Sequence, residues 1–369
     1  MTKKIYIALG MIAVVVIGIF WVLNNTGREH GIVKIGVVLP LTGNAASHGQ
    51  DIQKGMNMAL ADFMDTIDSA SFNVKMIVED NFSTTKGSVA ALEKLIQIEK
   101  PSIVLGPVST TDMLSMIPIA EKSKMILFSP SVSSPKVSNA GRYIFRTGPL
   151  APDQSKILTQ YIANTLKLKR VGIMYMNDDS GQSYQEVFIP DFTALWGEIV
   201  FNESFERNDI DFKSNLLKFK TTNAEALLIA GTPKTTGLIL KQAKELNLDV
   251  IFLSSAGAEG AECLEIAQNA AEGIVYTSVA IEQDFIQKYK AENNNLPPSL
   301  GVVLGYDAMA ITLKLLYENP NDNEQLREAL SQVEFLGVTG KTLMSPSGDA
   351  HKDIALKTVK NGEFVFLTK

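Results

Sequence analysis

The sequence predicts an α/β fold of two similar lobes with mostly parallel sheets, preceded by one N-terminal transmembrane helix. Three observations predict it. Short apolar runs bounded by turn residues alternate with helical periodicities, the βαβα pattern of parallel sheets. The pattern restarts partway, for "KIGVVLP" at Lys34 and "RVGIMYM" at Arg170 are both a basic residue followed by a buried-type strand. Ile5 to Leu23 is a run of 19 residues without a charge.

At a rise of about 1.5 Å per residue, Ile5 to Leu23 matches the roughly 30 Å hydrocarbon core of a bilayer. Lys3 and Lys4 precede it, so the positive-inside rule holds the start in the cytoplasm and sends the remainder out. The run ends in Asn24, Asn25, Thr26 and Gly27 without an A-x-A-like site, which favours an uncleaved anchor over a removed signal segment. A lipoprotein is excluded because lipid attachment needs a cysteine just after the run, and Cys263 is the only one. Residues 1–30 are thus an anchor or signal segment with a short linker, and the globular part is extracytoplasmic, at the cell surface or in a periplasm.

The runs expected as strands are Ile35–Leu39, Val74–Val78, Ile103–Leu105, Met125–Phe128, Val171–Met176, Ile199–Phe205, Ala226–Ala230 and Val250–Leu253. Between the first two, Ile52, Met56, Ala59, Leu60, Phe63 and Ile67 fall on one helical face. A last hairpin, Ala355–Val359 with Phe364–Leu367, turns at "KNGE". In such sheets a ligand sits beyond the strand carboxyl ends, so two facing lobes enclose a cleft.

Composition narrows the chemistry. The 369 residues suffice for two α/β domains, and 34 Lys+Arg against 40 Asp+Glu give a net charge of -6 with no basic face for a nucleic acid. His30, His48 and His351 lie far apart, and one cysteine makes neither a disulfide nor a Cys-rich metal site. No G-x-S-x-G, H-E-x-x-H or phosphate-binding glycine loop occurs, so neither an enzyme nor a bound cofactor is expected. His48 has no identifiable partner for general-base work, which leaves it a lining or capping role.

The turns at the strand ends carry hydroxyls instead. After Leu105 comes "GPVSTTD" and after Phe128 "SPSVSSP", uncharged and placed where helix amino termini point outward. Ser109, Thr110, Ser131 and Ser133 each suit a helix cap or turn. Two such turns on neighbouring strands also suit a small anion, because hydroxyls and amides donate charge-assisted hydrogen bonds of about 1.5–3 kcal/mol each.

Seven stretches in order, "IGVVLPLTGNAASHGQDIQKGMNMA", "ILFSPSVSSP", "YIFRTGPLAPDQ", "DFKSNLLKFK", "AAEGIVYTS", "YDAMAI" and "FLGVTGKTLMSPSGD", give a chain that resembles the leucine/isoleucine/valine-binding family of extracytoplasmic solute-binding proteins from about Lys34 onward. The resemblance implies two Rossmann-like lobes joined by a three-crossing hinge, residues 34–148 with 278–335 and residues 149–277 with 336–369. It implies a monomer that captures a small carboxylate, foremost a branched-chain or aliphatic amino acid, and delivers it to the permease and ATPase of an ABC importer.

Carried over residue by residue, the family's carboxylate site falls on Thr110, the Ser131 backbone and Ser133, with His48 as a lid over the ligand. In the second lobe Ser180 and Thr232 stand where the family has tyrosines. The family glutamate that pairs with a ligand ammonium falls on Ala256, and a hinge aspartate on Ala151. Glu259, Glu262, Asp178 or Asp179 would have to supply a substitute carboxylate, Glu259 first. Two alternatives stay open: a membrane-anchored sensing ectodomain working through a partner, which suits an uncleaved anchor, and a binder of a non-amino-acid carboxylate or short amide.

Overall fold

The computed structural model describes residues 32–67, 72–318 and 322–367. The expected anchor, its flanking lysines and the linker to Gly31 lie outside the described residues.

The first sheet is parallel throughout. Its strands are β1 (Val33–Leu39), β2 (Val74–Asp80), β3 (Ile103–Leu105), β4 (Leu127–Ser129) and β5 (Ile144–Arg146), in the order β2-β1-β3-β4-β5. Successive side chains on β1 feed opposite faces. Ile35, Val37 and Leu39 pack with Ile52 and Met56 of the helix Ala46–Thr66 and with Met309 and Leu313 of the helix Leu300–Glu318. Val38 packs on the other face with Leu92, Met113 and Met116. Both faces are covered, which is why the strand reads as an unbroken apolar run. Helix Leu300–Glu318 is long and apolar enough to cross a membrane, but most of it is buried in this core.

The restart at Arg170 repeats the same plan. Strands β6 (Arg170–Met176), β7 (Glu198–Phe205), β8 (Ala226–Ala230), β9 (Ile251–Ser254) and β10 (Val275–Val279) are ordered β7-β6-β8-β9-β10, matching the first sheet strand for strand. Leu227 and Ile229 of β8 face a cluster with Phe212 and Phe219, while Ala226 and Leu228 face one with Phe188 and Phe192. The chain then forms an antiparallel sheet of β11 (Glu334–Gly337), β12 (Gly340–Met344) and β13 (Ala350–Lys352). It ends in the hairpin β14 (Ile354–Lys360) and β15 (Glu363–Phe366), added antiparallel to β10.

The chain passes between the sheets three times, after β5, after β10 and after β13. Residues 336–352, assigned from sequence to the second lobe, instead pack with the first. Met344 and Ala350 sit in the β1 cluster, and buried Arg146 at the end of β5 pairs with Asp349 at 2.7 Å. The return to the second sheet therefore comes after Lys352.

Candidate ligand cleft

Each lobe presents the carboxyl end of its central strand in the same way. After β1 the turn is organised by Asp80, whose carboxylate accepts from the backbone of Leu41 (2.9 Å) and Phe82 (2.8 Å) and from the Thr42 hydroxyl (2.6 Å). Burial alone would raise the Asp80 pKa, but these hydrogen bonds hold it below the usual carboxylate value. The following helix then settles on the strand end through Gly49, where a β-carbon would lie 2.0 Å from the Pro40 carbonyl oxygen. Gly181 sits the same way after β6, 2.2 Å from the Met176 oxygen by the same measure. His48 and Ser180, the residues just before these glycines, are thereby brought to one cavity.

The cavity holds about 160 Å³ between the lobes. Its polar wall is His48, Ser131, Ser133, Gln154, Ser180 and Ser255, with Tyr184 beside them. Val108, Met176, Leu300 and Leu304 make much of the apolar wall, and among the described residues no Asp, Glu, Lys or Arg lines it. His48 is partly buried, and desolvation lowers its pKa against the pull of Asp51, with Arg207 adding to the depression, so the ring is neutral at neutral pH.

Of the residues singled out from sequence, His48, Ser131, Ser133, Ser180 and Ala256 line this cavity. Thr110 is fully buried beside it, its hydroxyl 3.1 Å from that of Ser180. The Ser131 amide, expected to face a ligand, is 3.3 Å from the Ser129 hydroxyl, and the Ser131 hydroxyl donates to the Val108 carbonyl at 3.0 Å. Ser109 and Thr232 are helix caps, accepting from Asp112 and Thr235 amides.

Glu259 is turned away. It is buried against Lys357 at 2.7 Å and accepts from the Ser278 hydroxyl, so the substitute carboxylate expected there does not reach the cavity. Asp178 caps the amide of Gly181 (2.9 Å) and pairs with Arg207 (2.6 Å). Asp179 accepts from the Thr111 hydroxyl (2.8 Å) and pairs with Lys136 (3.3 Å). Glu262 sits in the first turn of the helix Ala261–Ala267, also off the lining. Among the described residues no group of three or more His, Cys, Asp or Glu is arranged to hold a metal.

Sequence reasoning missed Gln154, Tyr184, Leu300 and Leu304. Gln154 ties the hinge to the second lobe, donating to the Pro149 carbonyl (2.8 Å) and accepting from the Ala256 amide (2.9 Å) and the Thr277 hydroxyl (3.1 Å). Tyr184 is 4% exposed, and its phenol makes no hydrogen bond of sound geometry, although Thr277 lies near it. Burial pushes that phenol pKa well up, so it stands as a neutral donor.

The lobes are in contact across the cleft. Besides Thr110–Ser180 and Asp179 with Thr111 and Lys136, Asn44 donates to Asn208 at 2.8 Å and the hydroxyls of Ser134 and Ser183 meet in a buried pair. This is a closed arrangement of two lobes on a small, uncharged chamber.

Residues 32–363 match the family described as periplasmic binding protein. The leucine-, isoleucine-, valine-, threonine- and alanine-binding protein of Pseudomonas aeruginosa is 25% identical over 346 residues, covering 89% of this chain and 92% of that protein. The crystal structure of a leucine binding protein, LivK, from Thermotoga maritima superposes with a TM-score of 0.85 at 26% identity, covering 91% and 98% of the two chains. A solute binding protein of an ABC transporter from Rhodopseudomonas palustris, solved with 3,4-dihydroxybenzoic acid, shares the fold with a TM-score of 0.83 at 22% identity, covering 90% and 95%.

Proposed function

The chain belongs to the periplasmic binding protein family, and from that premise we propose that it is the extracytoplasmic solute-binding component of an ABC importer. It closes two lobes on a small carboxylate-bearing metabolite and hands it to a membrane permease with its ATPase. The observation that carries this reading is the chamber between two sheets whose five parallel strands share one order, closed by side-chain bonds from lobe to lobe. Its volume, well under the roughly 300–1,000 Å³ of drug-sized pockets, limits the solute to metabolite size.

In this reading Ser131, Ser133 and Thr110 serve the carboxylate end in one lobe, while Ser180 and Ala256 bound the far end in the other. His48 covers the solute. The lobes are residues 33–148 with about 282–352, and residues 149–281 with 353–367, hinged at the three crossings. The relatives' names make branched-chain and aliphatic amino acids the first solutes to try. Ile5–Leu23 holds the protein at the outer face of the membrane, which the intact mass of the membrane-extracted chain tests: a mature amino terminus between residues 24 and 34 contradicts retention.

Calorimetric titration of the full chain with amino acids and simple carboxylates, paired with small-angle X-ray scattering, tests the function. Saturable binding of one solute per chain with a decrease in radius of gyration is expected. Binding without compaction contradicts the closure mechanism.

A further inference from the structure

Among the described residues the chamber is lined by neutral hydrogen-bonding groups and apolar surface, with no carboxylate to pair with a cation. We infer that the solute is a carboxylate with an apolar body and no ammonium group. This rests on the solute-binding reading above and narrows it.

The carboxylates near the chamber are engaged elsewhere, Asp191 by the Ser155 hydroxyl at 2.6 Å. Glu259 is held by Lys357 and Ser278 behind the wall. Asp178 is held by Gly181 and Arg207, Asp179 by Thr111 and Lys136, and Asp51 by the Ser299 hydroxyl at 2.6 Å. The chamber wall nearest in sequence to Glu259 is made by Ala256 and Gly257, which bring no more than a methyl group. An enclosed ammonium would lack a counter-charge, and an uncompensated buried charge weakens binding by about a hundredfold or more.

The polar groups that remain in the chamber, His48 among them, are neutral and can each donate a hydrogen bond. The Ser133 hydroxyl lines the chamber, and the buried Tyr184 phenol beside it has only the nearby Thr277 hydroxyl, without a hydrogen bond of sound geometry. An anion satisfies such groups, and a carboxylate accepts from several at once. Val108, Met176, Leu300, Leu304 and Ala230 then surround the rest of the solute with hydrocarbon. That wall suits an aliphatic or aromatic body without further charge.

Calorimetry of the full chain with matched pairs decides the question: leucine against 4-methylpentanoate, valine against 3-methylbutanoate, phenylalanine against 3-phenylpropanoate, with benzoate and 4-methylpentanamide added. The acid of at least one pair is expected to bind about a hundredfold more tightly than its amino acid. An amino acid that binds as tightly as its deaminated partner overturns the inference and leaves the solute-binding function standing. Binding of the amide alone, or of nothing in the panel, overturns the carboxylate assignment itself. Ala256→Glu places a carboxylate in the wall and is expected to reverse the preference toward the amino acid; if the folded variant keeps the acid preference unchanged, Ala256 does not bound the solute. Should that variant fail to fold, the unmodified chain's panel still decides.

Discussion

The hydroxyls of Thr110 and Ser180 meet at 3.1 Å across the cleft, joining the first turns of two helices that belong to different lobes. They bridge the lobes at the rim of the chamber that Ser180 lines. Closure therefore draws on polar side chains at its edge as well as on the solute.

Thr110→Val removes this bridge while keeping the shape of the side chain. A net hydrogen bond contributes about 0.5–1.5 kcal/mol, so solute affinity is expected to fall by roughly two- to twelvefold. Calorimetry measures the affinity and urea denaturation of the solute-free chain the stability. A variant that binds as tightly as the parent removes the bridge from the closure account.

Tyr184→Phe tests whether the orphaned phenol serves the solute. A hydrogen bond to a charged group contributes about 1.5–3 kcal/mol, which predicts a loss of roughly 10- to 150-fold in carboxylate affinity. The fold should weaken little, because the phenol has only its poorly aligned contact with Thr277 to lose. Reduced stability with unchanged affinity would assign Tyr184 to the core alone.

Much of this architecture was legible because buried parallel strands announce themselves. Ile103–Leu105 and Ala226–Ala230 lie where their apolar runs place them, and the restart at Arg170 is visible as a repeated strand order. Strand β10 was missed because its run carries Thr277 and Ser278, both fully buried and both satisfied by side-chain bonds that no local pattern reveals. The sheet β11–β13 was missed because exposed Leu336 and Leu343 break the alternation expected of a half-buried strand.

The cleft was legible only in part, for a physical reason. Hydroxyl-rich turns at strand ends show in sequence, but whether an acid near them faces the cleft depends on a distant partner. Lys357 lies 98 residues from Glu259, and it is this pairing that takes the carboxylate out of the chamber.

The same pair gives a stability prediction. Glu259 and Lys357 side chains are both 5% exposed, and removing one member of such a pair costs about 3–5 kcal/mol through the charge left behind. Glu259→Gln should therefore lower the urea midpoint sharply. Adding Lys357→Met should recover most of the loss. A double variant no more stable than the single one would mean that packing rather than charge explains the effect.

His48 predicts an acid-side loss of stability. Because burial holds its folded pKa below the usual 6.5, the unfolded chain takes up a proton before the folded one does. This contribution is fully present above pH 6.5 and is lost as pH falls from there toward the depressed folded value. His48→Gln should flatten the solute-free stability profile over that interval. An unchanged slope would show that the ring is not the group responsible.

Lobe closure on a solute is the central claim, and the distance across the cleft tests it most directly. Cys263 is fully buried, with its thiol pushed up to about 12, so introduced cysteines can be labelled selectively. Phe82 and Ile210, 62% and 67% exposed, flank the cleft beside the turns that carry Asn44 and Asn208. With spin labels at Phe82→Cys and Ile210→Cys, double electron–electron resonance should give a broad, longer distance without solute. A saturating carboxylate that binds by calorimetry should yield a shorter, narrower one. An identical distribution with and without bound solute would contradict the account.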